Sequence, residues 1–130
     1  MVGKNAFRTA GITAGVIILL LGGVTMYLMR GMNEVASLEI GDVNPSGLAD
    51  GVYVGRYDGY RWSNAVEVTV RGGRITGIDA VDRQLFHRDE VEDEIFGRVI
   101  AGQTTDVDTV TGATVSSKAL LKAVENALRK

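Results

Sequence analysis

Ala65-Val66-Glu67-Val68-Thr69-Val70-Arg71-Gly72-Gly73-Arg74-Ile75-Thr76-Gly77-Ile78-Asp79-Ala80-Val81 holds two alternating runs joined by a pair of glycines. In the first run Val66, Val68 and Val70 fall on one face of an extended chain, because successive side chains of a strand point to opposite sides. A two-residue primed turn needs positive φ at both central positions, which glycine adopts without the clash of a Cβ. The stretch reads as a β-hairpin. Upstream, Val52-Tyr53-Val54-Gly55-Arg56-Tyr57 alternates in the same way and closes at Asp58-Gly59, which adds a third strand.

Beyond the hairpin the period changes. Between His87 and Gln103, Val91, Ile95 and Val99, with Phe96 and Ile100, recur at helical spacing and make one apolar face. Five of the six residues from Asp89 to Glu94 are acidic, and at a helix start they complement the dipole; Arg98 sits near the other end. Their helical spacing favours a solvated helix start over a calcium loop, the competing reading. A short strand is expected around Val107 to Val110. The chain then closes with an amphipathic helix, capped by serine at Ser116-Ser117 and carrying Ala119, Leu120, Ala123, Val124, Ala127 and Leu128 on its apolar face. The expected fold is α+β: a small antiparallel sheet packed by two helices, preceded by one N-terminal transmembrane helix.

That first helix rests on 21 uncharged residues, Thr9 to Met29, between Arg8 and Arg30. At about 1.5 Å per residue they span about 31 Å, the thickness of a hydrocarbon core of about 30 Å. The run is apolar all round, is longer than the h-region of a signal peptide, and offers no good small-x-small cleavage site. A retained anchor over residues 1–30 is therefore preferred to a cleaved signal. Lys4 and Arg8 precede it and only Arg30 follows closely, so the N-terminus is expected in the cytoplasm and the rest outside, in a single-pass cell-membrane protein. Residues 31–49 read as a juxtamembrane spacer, in which Met32 to Ile40 continues the helix and Asn44-Pro45-Ser46-Gly47 ends it. The functional domain is then 50–130.

Composition excludes much. There is no cysteine and one histidine, so disulfides, thiolate metal sites, cysteine nucleophiles and His-rich metal clusters are ruled out. All 16 acidic residues lie after Arg30, against 11 basic ones, a net charge of −5 there. Such a domain has no basic footprint for nucleic acid.

The chemistry-bearing stretch is Asp108-Thr109-Val110-Thr111-Gly112-Ala113-Thr114, followed by Val115-Ser116-Ser117. It is a hydroxyl-rich turn that leads into a helix. The first N–H groups of a helix lack internal partners and carry partial positive charge, which suits an anion such as phosphate. Gly112 and Ala113 are small enough to admit a bulky group, and Thr114 sits where its hydroxyl would meet a phosphate. Spacing alone favours a plainer reading, in which Thr114 or Ser116 simply caps the helix.

The sequence resembles the FMN-binding domain family, which includes the flavin-bearing small subunits of sodium-pumping NADH:quinone reductases and of Rnf-type complexes. The resemblance runs in order through Asp50-Gly51-Val52-Tyr53-Val54-Gly55, Asp58-Gly59-Tyr60, Gly73-Arg74-Ile75-Thr76, Ala101-Gly102-Gln103 and Asp106-Val107-Asp108. The family's attachment signature, Asp-x-x-Ser/Thr-Gly-Ala-Thr, is met in full by Asp108 to Thr114. The resemblance implies that a separate flavin transferase, using FAD and a divalent metal, esterifies FMN to Thr114 outside the cytoplasm. Asp108 would help present the hydroxyl, and Thr111, Gly112, Ala113 and Ser116 would line the attachment site. It further implies an electron carrier rather than a stand-alone enzyme, serving membrane or extracytoplasmic redox proteins or a quinone. The best-known subunits are considerably longer than this chain, which weakens assignment to those particular complexes. Two rival functions remain: an FMN-dependent reductase of a small acceptor, and a binding or scaffold module without flavin.

Tyr53, Tyr57, Tyr60 and Trp62 are the aromatics available to a flavin ring. Tyr53 and Tyr57 share parity, so one is expected in the core and the other toward the ligand. For any single one of these aromatics packing is the plainer reading; Tyr57 and Trp62 are the candidate contacts, Trp62 being the least obviously core. Arg56, Arg61 and Arg74 read as surface charge, with phosphate contact as the alternative, and His87 reads as a solvated helix flank.

Overall fold

The computed structural model describes residues 3–129 and divides the chain into two compact units, Met1–Arg30 and Gly31–Lys130. The first is a single helix, α1 (Lys4–Met29), with no buried residue. It is long and apolar enough to cross a membrane. Its threonines support that solvent: Thr9, Thr13 and Thr25 donate their hydroxyls to the carbonyls of Asn5, Thr9 and Leu21 one turn back, at 2.8–2.9 Å. A hydroxyl satisfied within its own helix costs little in lipid, where no water can serve it.

In the second unit a short helix, α2 (Met32–Ala36), precedes a three-stranded antiparallel sheet: β1 (Gly51–Tyr57), β2 (Asn64–Arg71) and β3 (Arg74–Asp82), in that order. Register runs from Gly51↔Val70 to Tyr57↔Asn64 and from Arg71↔Arg74 to Ala65↔Asp82, with irregularities at Ala65/Val66 and Thr69/Val70. Gly72 and Gly73 turn the hairpin with φ of 59° and 73°, the double positive φ expected there. Two long helices follow, α3 (Asp89–Gly102) and α4 (Thr114–Leu128). The helices cover one face of the sheet. Val66, Val68, Val70, Ile75 and Ile78 pack with Val91, Ile95 and Val99 of α3 and with Leu120, Leu121 and Val124 of α4. Each such side chain contributes about 1.5–3 kcal/mol when fully buried.

Gly55 sets how closely α4 approaches the sheet. A Cβ built there would lie under 3.0 Å from the Ala123 carbonyl oxygen, the Ala127 nitrogen and the Ala127 Cβ, so helix backbone rests directly on strand backbone. The opposite sheet face is bare, with Val52, Val54 and Val81 more than half exposed. Both outer strands are tied by amide side chains. Gln103 takes the Ile75 N–H on its Oε1 (2.7 Å) and gives its Nε2–H to the Ile75 carbonyl (3.0 Å), while Asn126 donates to the Arg56 carbonyl (2.8 Å).

Several expectations are corrected. No strand forms at residues 107–110, because that segment's polar groups are taken by side chains. Arg98 Nη1 donates to the carbonyls of Asp108 (2.8 Å) and Thr109 (3.1 Å), and Ser117 Oγ accepts the Val110 N–H (3.1 Å). The last helix begins at Thr114, with Ala113 as its N-cap and no side-chain cap, so the serine cap is absent. The helical continuation over Met32 to Ile40 stops at Ala36. The compact unit starts at Gly31, so the stretch read as a spacer contributes to the fold. Val35 is fully buried, Ile40, Val43 and Leu48 pack on the core, and Val43 and Thr105 bond each other through the Val43 N–H to Thr105 Oγ1 and the Thr105 N–H to the Val43 carbonyl. Tyr53 and Tyr57 are both partly buried and pack against the core, the plainer of the two readings given to them. Trp62, expected to be least core-like, is 2% exposed and packs with Val35 and Ala119.

Candidate functional site

The start of α4 is built by a tight turn. The Ala113 N–H bonds the Val110 carbonyl (2.9 Å), and Gly112 holds φ +80°, which a type II turn requires at its third position. A Cβ on Gly112 would meet nothing within 4 Å, so this glycine is demanded by backbone conformation and not by crowding. Ala113 is buried and belongs to the core cluster, so it anchors the turn inward instead of clearing space outside. The first helical bond runs from the Ser117 N–H to the Ala113 carbonyl (2.9 Å). The N–H groups of Thr114, Val115 and Ser116 therefore open the helix with no carbonyl one turn behind them. With no side-chain cap, this end presents partial positive charge and N–H donors next to the exposed Thr114.

Facing it is a 3-10 turn, Tyr60–Trp62, that is pinned at every residue. The Trp62 N–H bonds the Gly59 carbonyl (3.0 Å), the Leu85 N–H bonds the Arg61 carbonyl (2.9 Å), and Ser63 Oγ donates to the Tyr60 carbonyl (2.7 Å). Buried Asn64 donates from one amide to the carbonyls of Trp62 (3.1 Å) and Ala119 (3.0 Å), which couples the turn to α4. The Arg61 guanidinium carbon lies 4.0 Å from the centroid of the Trp62 ring. Met32, Arg61, Trp62, Gly112, Ala113, Thr114, Val115 and Ser116 together line a depression of about 360 Å³.

The candidate residues thus separate into groups. Thr114, Gly112, Ala113, Ser116 and Trp62 share that depression. Asp108 and Thr111 line a second groove of about 780 Å³, with Arg98, Ala101, Asp106, Val107 and Thr109. Tyr57 lines neither. Burial, then the negative charge of Glu34 and then Tyr60, raise its phenol above the ordinary value of 10.0. It packs against both apolar clusters.

Three residues that shape the site escaped the sequence reading. Arg98, read as a dipole partner for its own helix, holds the opening of the motif through the two carbonyls named above, while its Nε pairs with Glu94 (3.0 Å). Ser117 holds Val110. Gln84, almost fully buried, donates to the Ser116 carbonyl (3.1 Å) from behind the helix start. The only available signal was the irregular motif itself, whose backbone polar groups must find partners somewhere.

The small α+β scaffold thus brings together a helix start without a cap, an exposed hydroxyl beside it and the Arg61–Trp62 turn. The FMN-binding domain family model matches residues 59–129, more than half the chain; the protein belongs to that family, and its cofactor is FMN. An uncharacterized protein of Treponema pallidum (strain Nichols) is 30% identical over 93 residues, covering 67% of this chain and 25% of that protein. The chain therefore spans about a quarter of that relative's length. The residues present fit the cofactor at its anionic end: the uncapped N–H groups of α4 suit its phosphate.

Proposed function

We propose that this chain is a membrane-anchored extracytoplasmic flavoprotein that carries FMN as a phosphoester on Thr114 and relays electrons between redox partners. The supporting observation is the exposed Thr114 at an uncapped helix start, as the last residue of a complete Asp108-to-Thr114 signature. Thr114 is the acceptor of a group transfer, not a nucleophile of the protein's own catalysis. A flavin transferase supplies FAD; the flavin-side phosphorus forms a bond to Thr114 Oγ1, its pyrophosphate bond to AMP breaks, and the hydroxyl proton leaves with base. Asp108 and Thr111, in the neighbouring groove, present the segment to the transferase, while Gly112 supplies the turn that brings the hydroxyl to the surface.

FMN accepts one or two electrons, which is the chemistry a relay between unlike partners needs. The protein's contribution is position. N–H groups of residues 114–116 receive the anion, and Asn64, bonded to the carbonyls of Trp62 and Ala119, keeps the turn beside them in register with α4. A covalent link suits a shallow site, since a depression of about 360 Å³ has little surface with which to retain a free nucleotide. The charges around α1, Lys4 and Arg8 before it and Arg30 after, favour the flavin domain outside the cytoplasm, with membrane proteins or a quinone as partners.

The test is co-expression with a flavin transferase, followed by intact mass and in-gel flavin fluorescence after denaturation, beside Thr114→Val. One FMN adduct in the wild type, lost in the variant, is the expected result. A dark, unmodified wild type rejects covalent attachment.

A further inference from the structure

The sheet face turned away from the helices carries its charges in an order that one copy of the chain does not balance. On β2, Glu67, Thr69 and Arg71 alternate with the buried Val66, Val68 and Val70, and so point to the bare side. Register sets Arg71 opposite Arg74, Thr69 between Val52 and Gly77, and Glu67 between Val54 and Asp79. Two cations therefore oppose each other at the hairpin turn, and two carboxylates oppose each other further along the same face. Like charges directly opposed across a ladder destabilise it. Among the described residues none of these four side chains forms an ion pair. Asp50, the residue before β1, is engaged instead by the Gly72 N–H (2.8 Å).

Within one chain the two pairs cannot neutralise each other. Four residues of strand separate Arg71 from Glu67, about 13 Å at about 3.3 Å per residue, which exceeds the screening length of about 8 Å at physiological salt. A second copy removes that separation. Sheets pack face to face about 10 Å apart with their strands roughly aligned. A two-fold axis crossing the strands at Thr69 sets Arg71 of each copy over Glu67 of the other, and Arg74 over Asp79. The row on that axis is low enough for close approach: Val52, Thr69 and Gly77, where an added Cβ would meet nothing within 4 Å. Val52, 59% exposed in the single chain, is covered by its counterpart. Arg56 and Asp82, at the far end of the face, already match each other (3.2 Å).

We infer that the bare sheet face is a homodimer surface, on which a second copy of this chain packs antiparallel about Thr69 through Arg71–Glu67 and Arg74–Asp79 pairs between copies. The inference is independent of flavin attachment. The helices lie on the other side of the sheet, so the start of α4 stays open in the pair. Three strands about 4.8 Å apart make a narrow face, so the contact is weak in free solution and is favoured where α1 confines both copies to one membrane.

The chain has no cysteine, so a single introduced one reports on one position. Full-length Thr69→Cys is reconstituted in liposomes beside Asp93→Cys, whose label lies on the exposed side of α3, at equal density. Both are treated with a short bis-maleimide, and cross-linked dimer is read on a denaturing gel. The expected result is strong dimer formation at Thr69 over the background at Asp93. Glu67→Lys in the Thr69→Cys chain should abolish that dimer, and Glu67→Lys with Arg71→Glu, which restores the pairing with reversed sign, should bring it back. Glu67→Lys also removes the opposition to Asp79, so its melting temperature should not fall, which separates lost pairing from lost fold. Salt at about 1 M, where the screening length is about 3 Å, should weaken the dimer of the otherwise unaltered Thr69→Cys chain. Equal cross-linking at the two positions overturns the inference. So does a Thr69 dimer that persists through high salt or through Glu67→Lys, and so does a charge-reversed pair that stays monomeric.

Discussion

Replacing Gly55 by alanine tests how α4 is seated. In a strand interior glycine is ordinarily unfavourable by roughly 0.5–1 kcal/mol, so on propensity alone the change should stabilise. The packing reverses the sign. The added methyl would lie under 3.0 Å from the Ala123 carbonyl oxygen, the Ala127 nitrogen and the Ala127 Cβ, whereas carbon contacts are optimal at about 3.5–4.0 Å. Two of the three atoms are backbone of a helix whose other face is locked into the core by Leu120, Leu121 and Val124. Neither side can yield cheaply, and overpacking of this kind costs about 3 kcal/mol, the upper end of its usual range. For a domain of this size each kcal/mol moves the melting temperature by about 4–8 °C, so Gly55→Ala should melt at least about 12 °C below wild type. Trp62 is the single tryptophan and is buried against Ala119 of the same helix, so its emission reports the transition directly. A variant melting within about 4 °C of wild type, or above it, would refute the claim that α4 rests on strand backbone at Gly55.

Two further outcomes follow from the same geometry. Arg98→Met should release the carbonyls of Asp108 and Thr109, costing about 1 kcal/mol because the pair with Glu94 is partly solvated; amide exchange should quicken across Val110 to Ala113 while the β2–β3 hairpin keeps its protection, and uniform exchange would contradict the clamp. Tyr57 makes stability fall at alkaline pH. Its phenol is raised in the folded state above 10.0, so below that value both states are protonated, and above it the unfolded chain loses its proton first. Tyr57→Phe should flatten the decline in melting temperature above about pH 10, and an unchanged alkaline limb would remove Tyr57 as its source.

Local rules carried the reading of the sequence a long way where the determinants were local. The hairpin at Gly72-Gly73 was legible because alternation and turn chemistry agree within 17 residues, from Ala65 to Val81. The α3 face was legible from the spacing of Val91, Ile95 and Val99. The motif at Asp108 to Thr114 was legible as a pattern, and its position before a helix followed from the apolar face beyond it. What failed depended on partners distant in sequence. Trp62 looks solvent-facing between Arg61 and Ser63, yet Val35 and Ala119 enclose it. Residues 31–49 look like a linker, yet Val43 finds Thr105 62 residues away. The strand expected at 107–110 was lost to Arg98, a competitor for carbonyls that no periodicity reveals. The serine cap failed because Ser117 turns its hydroxyl to Val110 in place of the helix end.

The amides of Gln103 and Asn126 bear on how the molecule behaves at high local concentration. A three-stranded sheet has two open margins, each a template onto which an extended segment of another molecule can zip. Gln103 occupies both polar groups of Ile75 on one margin, and Asn126 occupies the Arg56 carbonyl on the other. An incoming strand would have to evict a side chain already bonded, exchanging one hydrogen bond for another with no net gain. That interruption works against edge-to-edge polymerisation of neighbouring copies.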